Sequence, residues 1–271
     1  MISCCSVPRS DMQREAYYAA IRRAGFEAVD LNETADGSLY ELPDGGRDAL
    51  ARVLAEVKAA GLAVGQCHAP FLTTVGDLPS LELARRQRQV VTCAATAAAL
   101  HIPFTVVHPL VWSWEEDPPS RADLIEQNAA YLRQVLAAAD GTVICLENMP
   151  GEHGCFTDPA ALKEVLDAVG DPRLAVCLDT GHAIAAGASF DGFFDTFGDR
   201  IRVTHIHDAF PGKDKHLPVY AGSGDWDTFR RVTAGYKGNF NSESKAPRTV
   251  PLTELDEALR NEAMLMRSLC E

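Results

Sequence analysis

The chain has 271 residues, 46 % of them hydrophobic, and a formal charge of −13 at pH 7. That length suits one large α/β barrel, which typically takes roughly 250 residues, and the pI of about 5.0 argues against a sequence-independent nucleic-acid binder, which needs a basic surface. No apolar run approaches the roughly 20 residues of a membrane span, and the chain enters ISCCSV without a secretory leader, so a cytoplasmic protein is expected.

Strands are predicted in chain order at 2–5, 26–31, 62–67, 103–107, 142–146, 173–178, 200–206 and 238–243. Several are apolar on both faces, as strands of a parallel sheet covered by helices must be. Between them the apolar period changes to 3.6. Val90, Ala94, Ala97 and Ala98 form one narrow stripe, and Ile125, Ala129, Leu132 and Leu136 form another. Ser120 and Asp123 suggest a capping box, and Asp158-Pro159 an N-cap followed by proline at the first helical position. Leu255, Leu259 and Met266 give the last helix its apolar face. Eight strands, seven intervening helical segments and a final helix predict a (β/α)₈ barrel formed as a single domain over residues 1–271. An open doubly wound sheet would gather its site at one crevice. The eight cysteines, Cys4, Cys5, Cys67, Cys93, Cys145, Cys155, Cys177 and Cys270, form no CxxC pair. Cys67, Cys145 and Cys177 sit inside apolar strand runs as small hydrophobes.

A polar side chain follows six of the apolar runs: His68, His108, Glu147, Asp179, His205 and Glu243. A closed parallel barrel carries its catalytic groups at the C-terminal strand ends, so all six would meet at one rim. All are metal-ligand or acid–base types. Asn148 beside Glu147 is placed to orient that carboxylate or to bind substrate. His182 follows Asp179 by three residues across a turn at Gly181. In RVTHIHDAF, alternation puts His205 and His207 on one face; His205 is read as the ligand, and His207 as closing the layer below or meeting substrate. Asp214 and His216 form an Asp-x-His pair after the seventh strand. The turn Gly222-Ser223-Gly224 lacks the lysine and spacing of a P-loop.

In LENMPG, CLDTGHA, THIHDAF, DKHLPVYAGSGDW and the closing Glu243 the chain resembles the xylose-isomerase-like TIM barrels, the superfamily of sugar isomerases and epimerases that also contains endonuclease IV. The resemblance spans essentially the whole chain. Its epimerase branch implies one divalent metal on Glu147, Asp179, His205 and Glu243, with His182 at a substrate oxygen. Glu147 and Glu243 would then also move the proton beside a carbonyl through a metal-stabilised enediolate. One departure is the second Glu after the fifth strand, for which Glu152 stands nearest. The endonuclease IV branch implies three zinc ions and adds His68, His108, Asp214 and His216 as ligands.

The expected function is therefore a metal-dependent sugar or sugar-phosphate isomerase or epimerase. The alternatives are endonuclease IV-like phosphodiester hydrolysis and a non-catalytic sugar- or polyol-binding barrel. The cofactor is a divalent metal, Mn²⁺, Mg²⁺ or Co²⁺ for the carboxylate-rich set and Zn²⁺ if the additional histidines join. The expected partner is a small sugar or sugar phosphate rather than a membrane or nucleic acid; self-association into a homo-oligomer is left open. One bound ion favours the isomerase and three the hydrolase.

Overall fold

The strand pairing closes on itself. The computed structural model describes residues 1–7, 9–32, 37–71, 80–112, 119–151 and 156–270; Glu152 and Cys155 lie outside them. Eight parallel strands form the barrel: β1 (Ile2–Cys5), β2 (Ala28–Leu31), β3 (Ala63–His68), β4 (Phe104–Val107), β5 (Val143–Glu147), β6 (Leu174–Asp179), β7 (Ile201–Ile206) and β10 (Asn239–Ser242). Each pairs with its neighbour in sequence, and β10 pairs with both β7 and β1. Two further strands, β8 (Asp208–Phe210) and β9 (Lys213–Leu217), pair antiparallel as a hairpin over the rim. All eight expected barrel strands are present, with ends displaced by up to two residues. The largest shift is at β2, where Phe26 and Glu27 precede the strand, following helix α1 (Arg14–Ala24) and its terminal Gly25.

The outer helices form where sequence period and caps agree. In α4 (Arg121–Ala138) the Ser120 side chain accepts from the Asp123 amide. Its buried face is Leu124, Ala129, Tyr131, Leu132, Val135 and Leu136, while Ile125, expected in that stripe, is half-buried. Helix α5 (Pro159–Val169) opens on Asp158, which caps the Ala161 amide, and closes on Gly170 at φ 68. Leu162, Val165 and Leu166 on its inner face are each worth about 1.5–3 kcal/mol when removed from water. The small stripe Val90, Ala94, Ala97 and Ala98 of α3 (Ser80–Ala99) is buried as expected. No helix among the described residues is long and apolar enough to cross a membrane.

Side chains alternate faces along a strand, so one parity of every barrel strand points inward. Beneath the rim on the β4–β7 side, Val106, Cys145, Ala175, Cys177 and Val203 form a small apolar cluster. On the β1–β3 and β10 side the same level holds Ser3, Asp30, Gln66, Asn239 and Asn241, all buried and hydrogen-bonded to one another. One half of the barrel interior is therefore apolar and the other is a connected polar layer.

Candidate metal centre

Continuing the inward parity upward brings the six strand-end residues to one rim. Glu147, at the end of β5 and 1 % exposed, is the hub. Its Oε2 lies 3.2 Å from Nε2 of both His68 and His108, and its Oε1 lies 3.1 Å from Nδ1 of His205. The same His205 Nδ1 is 3.5 Å from Glu243 Oε1 and 3.9 Å from Asp179 Oδ2. Three donor groups result: His68, His108 and Glu147; Glu147, Asp179, His205 and Glu243; and His182, His207, Asp214 and His216. Within each group the ligand atoms all lie within 4.8 Å of one another. Two ligands on one ion stand apart by at most twice a bond of about 2.0–2.6 Å, so each group has the span of a metal site. Mixed imidazole and carboxylate donors suit Zn²⁺, Mn²⁺ or Co²⁺. Asp214 Oδ1 is buried with no hydrogen-bond partner, as an oxygen intended for a cation would be. Cys177 groups with Glu147 and His205, and Cys5 with Asp30 and Glu243. The second of these has the Arg248 guanidinium 4.0 Å from Cys5 Sγ, a charge that repels a cation.

The imidazoles are already oriented. Nδ1 of His68 faces the Ala69 carbonyl at 2.7 Å, that of His182 the Asn148 carbonyl at 2.8 Å and that of His216 the Glu243 carbonyl at 3.2 Å. A carbonyl can only accept, so each Nδ1 holds its proton and Nε2 is the nitrogen left to bind an ion once any proton on it has gone. His205 differs: it turns Nδ1 to the carboxylates and has Gln66, not a carbonyl, behind it.

The electrostatics fit ligands awaiting a cation. Burial alone would raise the Glu147 carboxyl, but His205 and His108 hold it well below the usual range. Burial also opposes ionisation of Glu243, yet His205 and His216 hold it at about 2. Burial disfavours charge on His205, but Cys177, Glu243 and Glu147 drive its pKa well above the usual value. His68 and His108 share one carboxylate oxygen and move apart. The Glu147 bond overcomes burial at His68 and raises it, whereas burial, aided by the His68 charge, wins at His108 and lowers it. Burial is likewise overcome at His216, where Asp214 raises the pKa.

An ion must displace the protons on His68, His205 and His216, all raised above 6.5. Affinity is therefore expected to rise with pH beyond the ordinary histidine range, with proton release on binding. Calorimetry in buffers of different ionisation enthalpy, between about pH 6 and pH 9, checks this; a flat affinity would contradict it.

The CLDTGHA segment has a task for each polar position. Asp179 ends β6 and caps α6 (Thr180–Ala186), accepting from the His182 amide at 2.7 Å, and its carboxylate also meets His207 Nε2 at 3.1 Å. Thr180 Oγ1 donates to the His207 carbonyl and accepts from the His207 amide, strapping β6 to the exit of β7. Gly181 leaves room for the His207 ring: a Cβ there would stand 1.8 Å from its Cε1.

The glycine-rich turn is also structural. Asp208 accepts from the Gly224 amide and from Trp226 Nε1, and a Cβ on Gly222 would meet Asp208 Oδ1 at 2.4 Å. That wrap fixes the hairpin bearing Asp214 and His216. His216 sits at φ 48, a conformation costly for a residue with a side chain.

The site residues singled out from sequence, apart from Glu152 outside the described residues, converge on this rim, two with environments unlike those expected. Asn148 is fully buried, its amide donating to the Asp179 carbonyl and accepting from the Asp179 amide, so it ties β5 to β6. His207 lies just beyond the end of β7, fully buried against Asp179. Above the centre lies a cavity of about 500 Å³ whose walls include Asn32, Phe71, Met149, Lys245 and Arg248. Asn32, Phe71, Met149 and Arg248 were not singled out from sequence.

A model of the xylose isomerase-like TIM barrel family matches residues 18–269. The uncharacterized protein y4fM of Sinorhizobium fredii is 27 % identical over 91 % of this chain and 86 % of its own length. Probable endonuclease 4 of Streptomyces coelicolor is 28 % identical over 65 % of this chain and 66 % of its own length. The crystal structure of D-psicose 3-epimerase with D-tagatose from Clostridium cellulolyticum H10 superposes with a TM-score of 0.78 at 14 % identity, covering 100 % of this chain and 99 % of that one; the two share the fold.

Proposed function

The chain belongs to the xylose isomerase-like TIM barrel family, and on that premise we propose that it is a divalent-metal-dependent hydrolase of phosphate esters, formed as one domain over residues 1–271. The observation that carries this reading is the set of three neighbouring donor groups, two of which share Glu147. Proton transfer beside a sugar carbonyl needs one ion, so in an isomerase the groups at His68 and at Asp214 would hold no ion and only Glu147 and His182 among them would have a task. Displacement at phosphorus uses several ions at once, on the attacking and the leaving oxygen. The same donor types serve the endonuclease IV branch.

When bound, the ions would polarise a phosphoryl oxygen and lower the pKa of water at the centre. The chain's own residues do the rest. Glu243, ionised and at the cavity wall, is placed to take a proton from the attacking water. Lys245 brings a positive charge to the opening, where a phosphate needs one. Phe71, packed against the rings of His68 and His108, gives the substrate's carbon skeleton an apolar wall.

Ketose isomerisation or epimerisation is the second reading, and one observation favours it. Glu147 and Glu243 come from different strands to the same His205 nitrogen, an arrangement that would let one carboxylate remove a proton and the other return it. The D-psicose 3-epimerase of like fold gives the sugar class to try.

Metal content and turnover separate the readings. Protein saturated with Zn²⁺ or Mn²⁺ is assayed for ions per chain, then offered an aryl phosphodiester, an abasic-site duplex, and ketoses in deuterated water. More than one ion per chain and chelator-sensitive cleavage of a phosphate ester are expected. A single ion, with deuterium entering a ketose and no cleavage, would replace the proposal by the second reading. Binding of a sugar with neither reaction would leave a non-catalytic barrel.

A further inference from the structure

Lys245 and Arg248 line the cavity above the metal centre, both on the wall that follows β10. Arg248 is half-buried and Lys245 exposed. Neither has a carboxylate within ion-pair reach among the described residues. Nη2 of Arg248 donates to the Glu243 carbonyl at 3.0 Å, and its Nε is buried with no hydrogen-bond partner. Nη1 lies 4.0 Å from Cys5 Sγ, and a thiol sulfur is only a weak acceptor. The Glu243 carboxylate is turned away, to Nδ1 of His205 at 3.5 Å and Nδ1 of His216 at 3.9 Å. A guanidinium partly withdrawn from water without a counter-charge is costly, and an anion from solution relieves that cost with charge-assisted hydrogen bonds.

The backbone that carries this charge is braced from two sides. Arg248 lies in the short helix Ala246–Thr249. Arg9 Nη1 donates to the Pro247 carbonyl and Arg9 Nη2 to the Val250 carbonyl, both at 3.0 Å. Asp11 holds the Arg9 fork in turn, at 2.9 Å from Nε and 2.8 Å from Nη2. From the other side, the Lys245 amide donates to the His216 carbonyl at 2.9 Å. A binding group is useful only if its support holds it still, and this support does.

Its place relative to the donor groups decides what it binds. Arg248 belongs to none of them. Its contacts are on the β1 and β10 side, across the barrel from the exits of β4 and β5, which carry His108 and Glu147. The cavity of about 500 Å³ that Arg248 shares with those residues has the size of a small-molecule site. We infer that Arg248 is a second anion seat, and that the substrate is a small phosphate ester carrying a further carboxylate or phosphate at the end away from the ions. The inference rests on the hydrolase reading for the group at the ions; the seat at Arg248 does not. Lys245, at the opening, favours the entry of such a doubly charged molecule.

The test uses the full chain loaded with Zn²⁺ and probes that cannot be hydrolysed, so binding is read whether or not an ester is turned over. Alkylphosphonates supply one anionic group; carboxyalkylphosphonates and alkylene bisphosphonates of matched length supply two. Calorimetry compares them on wild type, Arg248→Gln and Arg248→Lys, with ion content and melting temperature measured for each. Wild type is expected to bind a two-anion probe of fitting length about 10–100-fold more tightly than the matched alkylphosphonate. Arg248→Gln should remove most of that ratio, and Arg248→Lys should keep part of it. Whichever two-anion series binds more tightly identifies the second group. An Arg248 that only holds the Glu243 carbonyl in place would weaken all probes alike and leave the ratio unchanged, and that result would overturn the inference. A wild-type ratio near one, or no binding of any probe, would overturn it as well. Failure of the hydrolase reading shows separately, as a Zn²⁺-loaded wild type that keeps the ratio but cleaves no phosphate ester.

Discussion

Glu147→Gln is expected to abolish turnover, with a loss of about a thousandfold or more, and to empty two donor groups at once. Gln keeps the shape of Glu147 but supplies no charge. His68, His108 and His205 all face this carboxylate at 3.1–3.2 Å, so the loss reaches both groups that share it. Removing one partner of a buried ion pair also costs about 3–5 kcal/mol, so the ion-free variant should melt lower than the ion-free wild type. Glu243→Gln is the comparison, because Glu243 belongs to one of the three groups and should cost that group's ion while leaving the others. Elemental analysis and turnover on the same preparations check both. Two active variants with full metal content would mean that the centre has been assigned to the wrong residues.

Gly181→Ala should be nearly as damaging although the side chain added is a single methyl. Gly181 lies within α6, so the backbone itself tolerates alanine, and in an exposed helix the change would stabilise. Here the new Cβ would stand 1.8 Å from Cε1 and 2.1 Å from Nδ1 of His207, a ring with no exposure and no free direction to move. Overpacking of this kind costs about 1–3 kcal/mol or more. Because His207 and His182 flank the position, the ion held with Asp214 and His216 should be lost first. A melting temperature and ion count equal to wild type would show that the ring moves aside freely.

The fold was legible because each strand is an apolar run with one polar residue at its exit, and the crossover helices carry caps and stripes that need no tertiary information. The strand-end residues were legible for the same reason, since barrel closure converts sequence spacing into proximity. How they divide was not. Nothing in the order of residues says that His68 and His108 would meet the same oxygen of Glu147, or that Asp214 and His216 would join His182; that depends on strand stagger and on a hairpin whose pairing is short. The polar layer under His205 was also missed, although its sign is present. Asn239 and Asn241 alternate in GNFNSE, and Gln66 and Asp30 interrupt otherwise apolar strands, at the inward parity. A lone polar residue in mid-strand neither breaks an apolar run nor stands at its exit, so neither signal marks it.

The hairpin has a consequence for the order of assembly. Glu147, Asp179, His205 and Glu243 come from four separate strands, and an ion can find all four only after long loops have closed and the barrel is in register. Asp214 and His216 stand two residues apart on one short strand, near neighbours even in a chain that has not yet folded. A metal ion can therefore engage them early and wait for His182 to arrive. If the proposed ions bind, refolding with metal present is expected to begin with a local chelate at Asp214 and His216 and to end with the ion that Glu147 helps to hold.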